Sequence, residues 1–170
     1  MAFLIQEILN YSRVGRMGIT EKKIGMQYVL DELKIEALET GYNKKMQFII
    51  GDTPEIQGDP VMIQQVFSNL ISNAVKYSSL KEIPIVSVNG KVTKDEIIYT
   101  VADNGIGIDI NYYNRVFELF KRMDNVNDIE GTGVGLAIVK RIIEKHDGRI
   151  WFESILNSST TFYVAFKNNL

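Results

Sequence analysis

The sequence predicts an α+β fold: a two-layer sandwich in which a mixed β-sheet carries helices on one face. Three observations point there. Helical and strand-like apolar periodicities are interspersed along the 170 residues without strict βαβ alternation. Apolar residues make up 45% of the chain, enough for one core. Asp59-Pro60 opens the strongest amphipathic stretch with an N-cap residue and a proline at the first helical position.

Taken in order, Leu4, Ile8 and Tyr11 with Ile5 beside them give a short apolar helical stripe, which Gly15 and Gly18 should interrupt. A second helix is expected from about Ile24 to Glu39, where Met26, Leu30, Leu33 and Ala37 recur at helical spacing before Gly41. Met46 to Ile50 reads as a strand, followed by a loop punctuated by Gly51, Pro54 and Gly58. The helix capped by Asp59 should reach about Tyr77. Ile83–Val88 and Ile97–Ala102 read as two strands joined through Asn89-Gly90 and the charged stretch after it. A glycine turn at Asp103–Gly107 precedes a short helix over about Tyr112–Phe120, and Lys121–Gly131 is expected to be a mobile loop. Val134–Lys145 is the last helix, stopped by Asp147-Gly148. Arg149–Ile155 and Thr160–Phe166 form the closing strand pair.

Composition excludes several functions. The net charge is −2 with both signs interspersed, so no nucleic-acid or membrane-surface footprint is visible. No apolar run approaches the roughly 20 residues of a spanning helix. The chain has no cysteine and one histidine, which excludes disulfides, thiolate metal sites and His-cluster centres and is compatible with a reducing cytosol.

Three segments carry candidate chemistry. On the helix after Asp59, residues Asn69, Asn73 and Lys76 fall at i, i+4 and i+7 beside the apolar face. Two neutral amide oxygens and an ammonium there suit a hydrated Mg²⁺ shared with phosphates; a plain solvated edge explains the same spacing, and the helix alone favours it. Asp103-Asn104-Gly105-Ile106-Gly107-Ile108 follows an apolar strand. Its carboxylate could accept from an exocyclic amine, or the segment could be an ordinary turn, and the two readings balance. Gly131-Thr132-Gly133-Val134-Gly135-Leu136 opens a helix, where free amides and alternating glycines favour an approaching polyphosphate. Neither a P-loop lysine nor the dinucleotide glycine spacing is present.

The conjunction decides. NLISNAVKYS, DNGIGI, VFELFKRM and GTGVGLAIVKRIIEKHDGRIWFES occur in the order of the N box, first glycine box, F box and second glycine box of sensor histidine kinases. Across nearly its whole length the chain resembles the ATP-binding domain of those kinases, within the gyrase, Hsp90, histidine kinase and MutL superfamily. The resemblance implies ATP and Mg²⁺ as cofactors and assigns roles by position. Asn73 would ligate Mg²⁺, with Asn69 beside it; Lys76 would meet the phosphates and Tyr77 pack near the adenine. Asp103 would take the adenine amine, with Gly107 leaving room for the base and Gly105 and Ile108 among the nucleotide-binding residues. Arg122 would reach the γ-phosphate, and Gly131, Thr132, Gly133, Val134, Gly135 and Leu136 would wrap the phosphates. Phe117 and Phe120 would anchor the lid. Where the family has Gly-x-Gly-Thr, this chain has Asn157-Ser158-Ser159-Thr160, and Thr160 would make the water-mediated adenine contact.

The same resemblance divides the chain into residues 1–18, the end of a dimerisation and phosphoacceptor helical hairpin, and residues 19–170, the catalytic domain. The phosphoacceptor histidine of that hairpin is absent. His146 lies at a helix end, a structural position rather than an acceptor's. The expected partners are the hairpin and a downstream response regulator, in a cytoplasmic domain whose parent's membrane status lies outside this chain. A serine kinase or an ATPase of the same superfamily is the alternative. The F region argues against the first, and Ser68 and Ser72, standing before the two asparagines, against the second.

Overall fold

The computed structural model describes residues 2–40, 43–122 and 131–169. Most of the predicted lid, residues 123–130, therefore lies outside the described residues. Two sheets form. The main one has five strands in the order β2-β4-β5-β7-β6: β2 (Gln47–Ile50), β4 (Ile85–Val92), β5 (Glu96–Asp103), β7 (Ser159–Lys167) and β6 (Arg149–Ile155). Only β2–β4 is parallel and the rest are antiparallel, so the sheet is mixed as expected. The second sheet pairs β1 (Lys22–Ile24) with β3 (Ile56–Gly58), two three-residue strands too short to show a period in sequence. Ile24, expected to begin a helix, ends β1 instead, and α2 runs Met26–Glu39.

Three helices cover one face of the main sheet. α3 (Pro60–Ser78) lies on β4 and β5, and α4 (Gly135–Lys145) on β6 and β7, while α2 meets β2 and α3. Met62, Ile63, Val66, Phe67, Leu70, Ile71, Ala74 and Val75 recur at helical spacing and are buried, so α3 forms the spine of the core. Alternation along β5 turns Ile97, Tyr99 and Val101 into that core, where the Tyr99 ring meets Phe67 edge-on at 5.3 Å. The opposite face is polar and aromatic. Trp151 stacks on Tyr163 at 5.1 Å, and the Arg149 guanidinium lies over Trp151 while donating to both carboxylate oxygens of Glu96.

α1 (Ala2–Arg16) continues through Gly15 and packs on α4. Its inward stripe is Leu4, Glu7, Tyr11 and Val14, whereas Ile5 and Ile8, counted in the apolar stripe of the sequence, are exposed. The Arg141 guanidinium, 4.4 Å from the Tyr11 ring centre, selects that face.

Two local readings differ. Asn89-Gly90 is not the β4–β5 turn; both residues lie inside β4, and the turn is at residues 93–96, closed by Thr93 and Glu96. Gly90 is required there because a Cβ would overlap Pro54 and Tyr99. The expected helix at Tyr112–Phe120 is a 3₁₀ turn, Ile110–Arg115, capped by Asp109. Aromatic side chains in and just after it pin it to the sheet: Tyr113 donates to Ser154 O at 2.6 Å, and Phe117 packs on Phe152 and Phe162. Phe120 does not anchor the segment with its ring, which is exposed. Its backbone turns at φ 60 and its N–H donates to Gly133 O.

Candidate nucleotide site

The site begins with the cap of α3. Asp59 Oδ1 accepts from Val61 and Met62 N–H at 3.1 Å, and Oδ2 accepts from Thr20 N–H. Burial works to raise this carboxyl, but those backbone donors hold it below its ordinary value. A helix so fixed at its start sends Asn69, Asn73 and Lys76 along one half-buried edge. Asn69 Nδ2 donates to Gly135 O at 3.3 Å, joining that edge to the start of α4.

The deepest part of the cleft lies at the end of β5. Asp103 is buried, and its Oδ1 accepts from Gly105 N–H at 2.8 Å. Burial pushes the carboxyl up to about 7, and the Gly105 amide offsets part of that. Gly105 has no room for a Cβ, which would strike Tyr77 O, and Ile106 N–H donates to the same carbonyl. The glycine turn is thus sewn to the last turn of α3. Gly107 adopts φ 69, and a Cβ there would meet Ile155 O.

Register then aligns three strands. β6 places Ser154 opposite Thr160 of β7, and β7 places Thr160 opposite Asp103. Ser154 Oγ accepts from Ile108 N–H and contacts Ser159 O and Thr160 Oγ1, each at 2.8 Å. The turn expected to need glycine is made by Asn157 at φ 62, whose N–H donates to Ile106 O.

Two adjoining cavities share Asn73, Tyr77, Val116, Lys121, Arg122 and Leu136 in their walls. The inner one, about 60 Å³, is lined also by Asp103, Gly107, Ile108 and Thr160. The outer one, about 190 Å³, is lined by Asn69, Lys76, Gly131, Thr132, Gly133 and Gly135. Gly105 and Val134 line neither: the first lies under Tyr77, and the second is buried as the residue before α4. The sequence reading missed Val116 and Lys121 in the wall common to both, Tyr112, Arg115 and Phe162 in the inner one, and Phe3, Glu7, Ser68 and Ser72 in the outer one. It also missed Ser154, although the β6–β7 pairing it predicted places that residue beside Thr160.

The inner end offers an acceptor to a flat polar heterocycle. The outer end gathers Lys76, Lys121 and Arg122 with bare backbone at Gly131 and Gly135, where an added Cβ would stand 3.8 Å or more from any neighbour. That polarity suits a ligand with a base at one end and a polyanion at the other.

Comparison with known proteins agrees. Residues 58–170 match the family described as histidine kinase-, DNA gyrase B- and HSP90-like ATPase. The chain is 39% identical to cyanobacterial phytochrome A of Nostoc sp., covering 97% of this chain and 21% of that protein. It is 40% identical to the sensor protein kinase WalK of Staphylococcus saprophyticus, covering 97% and 28%. The methanogenesis regulatory histidine kinase FilI of Methanothrix harundinacea is 35% identical over 91% of this chain and 17% of its own length. The chain thus spans between 17% and 28% of the length of these relatives. Among solved structures, full-length ShkA in complex with AMPPNP superposes with a TM-score of 0.81 at 22% identity, over 96% of this chain and 35% of that one. The nucleotide-free catalytic domain of the histidine kinase ThkA gives 0.73 at 22%, over 89% and 98%. The chain belongs to the histidine kinase-, DNA gyrase B- and HSP90-like ATPases, and within them it is homologous to the ATP-binding catalytic domains of sensor histidine kinases.

Proposed function

We propose that this domain binds Mg²⁺-ATP along the cleft and presents the γ-phosphoryl group to a histidine on a helical hairpin, in a two-component phosphorelay that ends on a response regulator. The observation that carries the reading is that Asn73 and Tyr77 wall both cavities, joining a carboxylate-floored base pocket to a cationic outer chamber. Asp103 accepts the adenine amine, Thr160 reaches the base through water, and Tyr77 with Ile108 closes the sides. Lys76 and Arg122 hold the phosphates with the amides of Gly131, Gly133 and Gly135. Thr132 and Leu136 complete that wall.

The donor set fits Mg²⁺. Among the described residues no group of three or more His, Cys, Asp or Glu could hold a metal by itself. The amide oxygen of Asn73, with Asn69 next to it, instead suits an ion that keeps its waters and shares phosphate oxygens. Bound there, the ion would neutralise charge on the β- and γ-phosphates. Phosphoryl transfer is largely positioning and charge stabilisation, so the chain's contribution is to hold the donor in line.

Residues 1–18 are assigned to the hairpin's exit and 19–170 to the catalytic domain. Support comes from α1, whose exposed Phe3, Ile5 and Leu9 suit further helical packing outside this chain. The domain is assigned to the cytoplasm; among the described residues no helix is long and apolar enough to cross a membrane. Titration with a fluorescent ATP analogue tests the reading. Binding should require Mg²⁺ for full affinity and fall at least about tenfold in Asn73→Asp and in Asp103→Asn. Equal binding by wild type and Asp103→Asn would remove the adenine assignment.

A further inference from the structure

α1 does more than lean on α4. Its inward stripe carries one carboxylate, Glu7, between Leu4 and Tyr11, at the i+3 and i−4 positions that turn it to the domain. Glu7 and Phe3 form part of the wall of the outer cavity. The Glu7 carboxylate accepts a hydrogen bond from the Thr132 hydroxyl, in the glycine loop ahead of α4. The helix is held in that pose from its other end. Val14 is buried, Tyr11 lies under the Arg141 guanidinium, and Lys145 Nζ donates to Gly15 O at 3.4 Å.

A threonine hydroxyl has one proton to give. Thr132 can donate it to Glu7 or to a phosphate oxygen, not to both. The carboxylate also adds a negative charge to the chamber that gathers Lys76, Lys121 and Arg122. A polyphosphate entering would meet like charge at close range in a partly desolvated space.

We infer that Glu7 is an internal anion that competes with the nucleotide's terminal phosphates, so that docking of α1 on α4 and loading of ATP oppose one another. This deepens the nucleotide reading above and rests on it. Coupling of this kind is reciprocal: whatever draws α1 off α4 raises affinity for the triphosphate, and the triphosphate loosens α1. The inner cavity, whose wall does not include Glu7, is untouched.

Isothermal titration of the 170-residue chain tests this with adenosine, ADP and ATP in excess Mg²⁺, comparing wild type with Glu7→Gln and Tyr11→Ala. Glu7→Gln keeps the shape and an acceptor for Thr132 but removes the charge. Tyr11→Ala frees the helix without touching the cavity. Glu7→Gln should tighten ATP at least about fivefold, ADP less, and adenosine not at all. About 0.5 M salt should shrink the gain. Tyr11→Ala should reproduce the same order. Unchanged or weaker ATP binding by Glu7→Gln overturns the inference, as does an equal gain for adenosine, which would mark a general loosening. Adenosine binding with no phosphate-dependent gain rejects the inference while leaving the nucleotide site standing. No binding of any ligand by any variant removes both.

Discussion

The backbone N–H of Asp59 donates to Nε2 of His146 at 3.0 Å, and Nδ1 of the same ring lies 2.8 Å from Ile142 O. Nε2 therefore accepts and Nδ1 carries the proton, which fixes the neutral imidazole and its tautomer. The ring joins the end of α4 to the cap of α3, and through it to the start of the Asn69–Asn73–Lys76 edge. With both nitrogens engaged, His146 offers no nucleophile.

His146→Ala should cost about 1–2 kcal/mol in urea unfolding, because it leaves the Asp59 N–H without its partner. Incubation of the chain with radiolabelled ATP should leave no acid-labile label on His146. Label at that position would contradict the geometry and the assignment of the acceptor to the hairpin.

Asp103 gives a pH dependence of defined sign. Its carboxyl stands near 7 when folded, against 3.8 as a reference. The empty folded domain keeps a proton that the unfolded chain releases, so this group lowers stability as pH rises from about 4 through about 7. The ionised carboxylate accepts from an amine more strongly than the acid does, so nucleotide affinity should climb across the upper part of the same window. Asp103→Asn should remove both trends. At pH 8 it should make the empty domain roughly 2 kcal/mol more stable by thermal unfolding while losing the base.

Asn157 and Gly107 both occupy the left-handed region, at φ 62 and φ 69, and differ in what a side chain would meet. Asn157→Gly should be nearly neutral, since only the backbone conformation and its N–H to Ile106 O are needed, whereas Asn157→Ala should cost about 1 kcal/mol. Gly107→Ala adds a collision with Ile155 O to the same backbone penalty. It should cost about 2–3 kcal/mol and abolish nucleotide binding. Denaturant melts paired with a binding titration would separate the two.

The strongest local signals were legible. Asp59-Pro60 placed the start of α3, the 3.6-residue period of α3 predicted its buried face, and the alternation of Arg149–Ile155 matched β6 to the residue. Most of the site was legible too, because its parts are short contiguous motifs: Asn69, Asn73 and Lys76 on one edge, Asp103 at a strand end, glycines before a helix. What escaped was set by distant partners. The two three-residue strands exist only through each other. Gly90 looked like a turn but makes room for Tyr99, its partner on β5, and for Pro54, 36 residues earlier in the chain. Glu7 was passed over because the apolar stripe was read through Ile5 and Ile8, and nothing local to α1 reveals that its other face meets Arg141 and Thr132. Ser154 went unread because an isolated strand serine carries no signal until its neighbours across the ladder are known.

That ladder has a further consequence. Ser154, Thr160 and Asp103 occupy one rung across three hydrogen-bonded strands, so the two groups proposed to meet the base, Asp103 and Thr160, are ordered when the sheet folds rather than when ligand arrives. The phosphate end has no such backing, being built on a glycine loop and a helix edge. Discrimination among bases should therefore persist when that loop is altered, and the loop's own changes should register in how tightly, and how long, the phosphates are held.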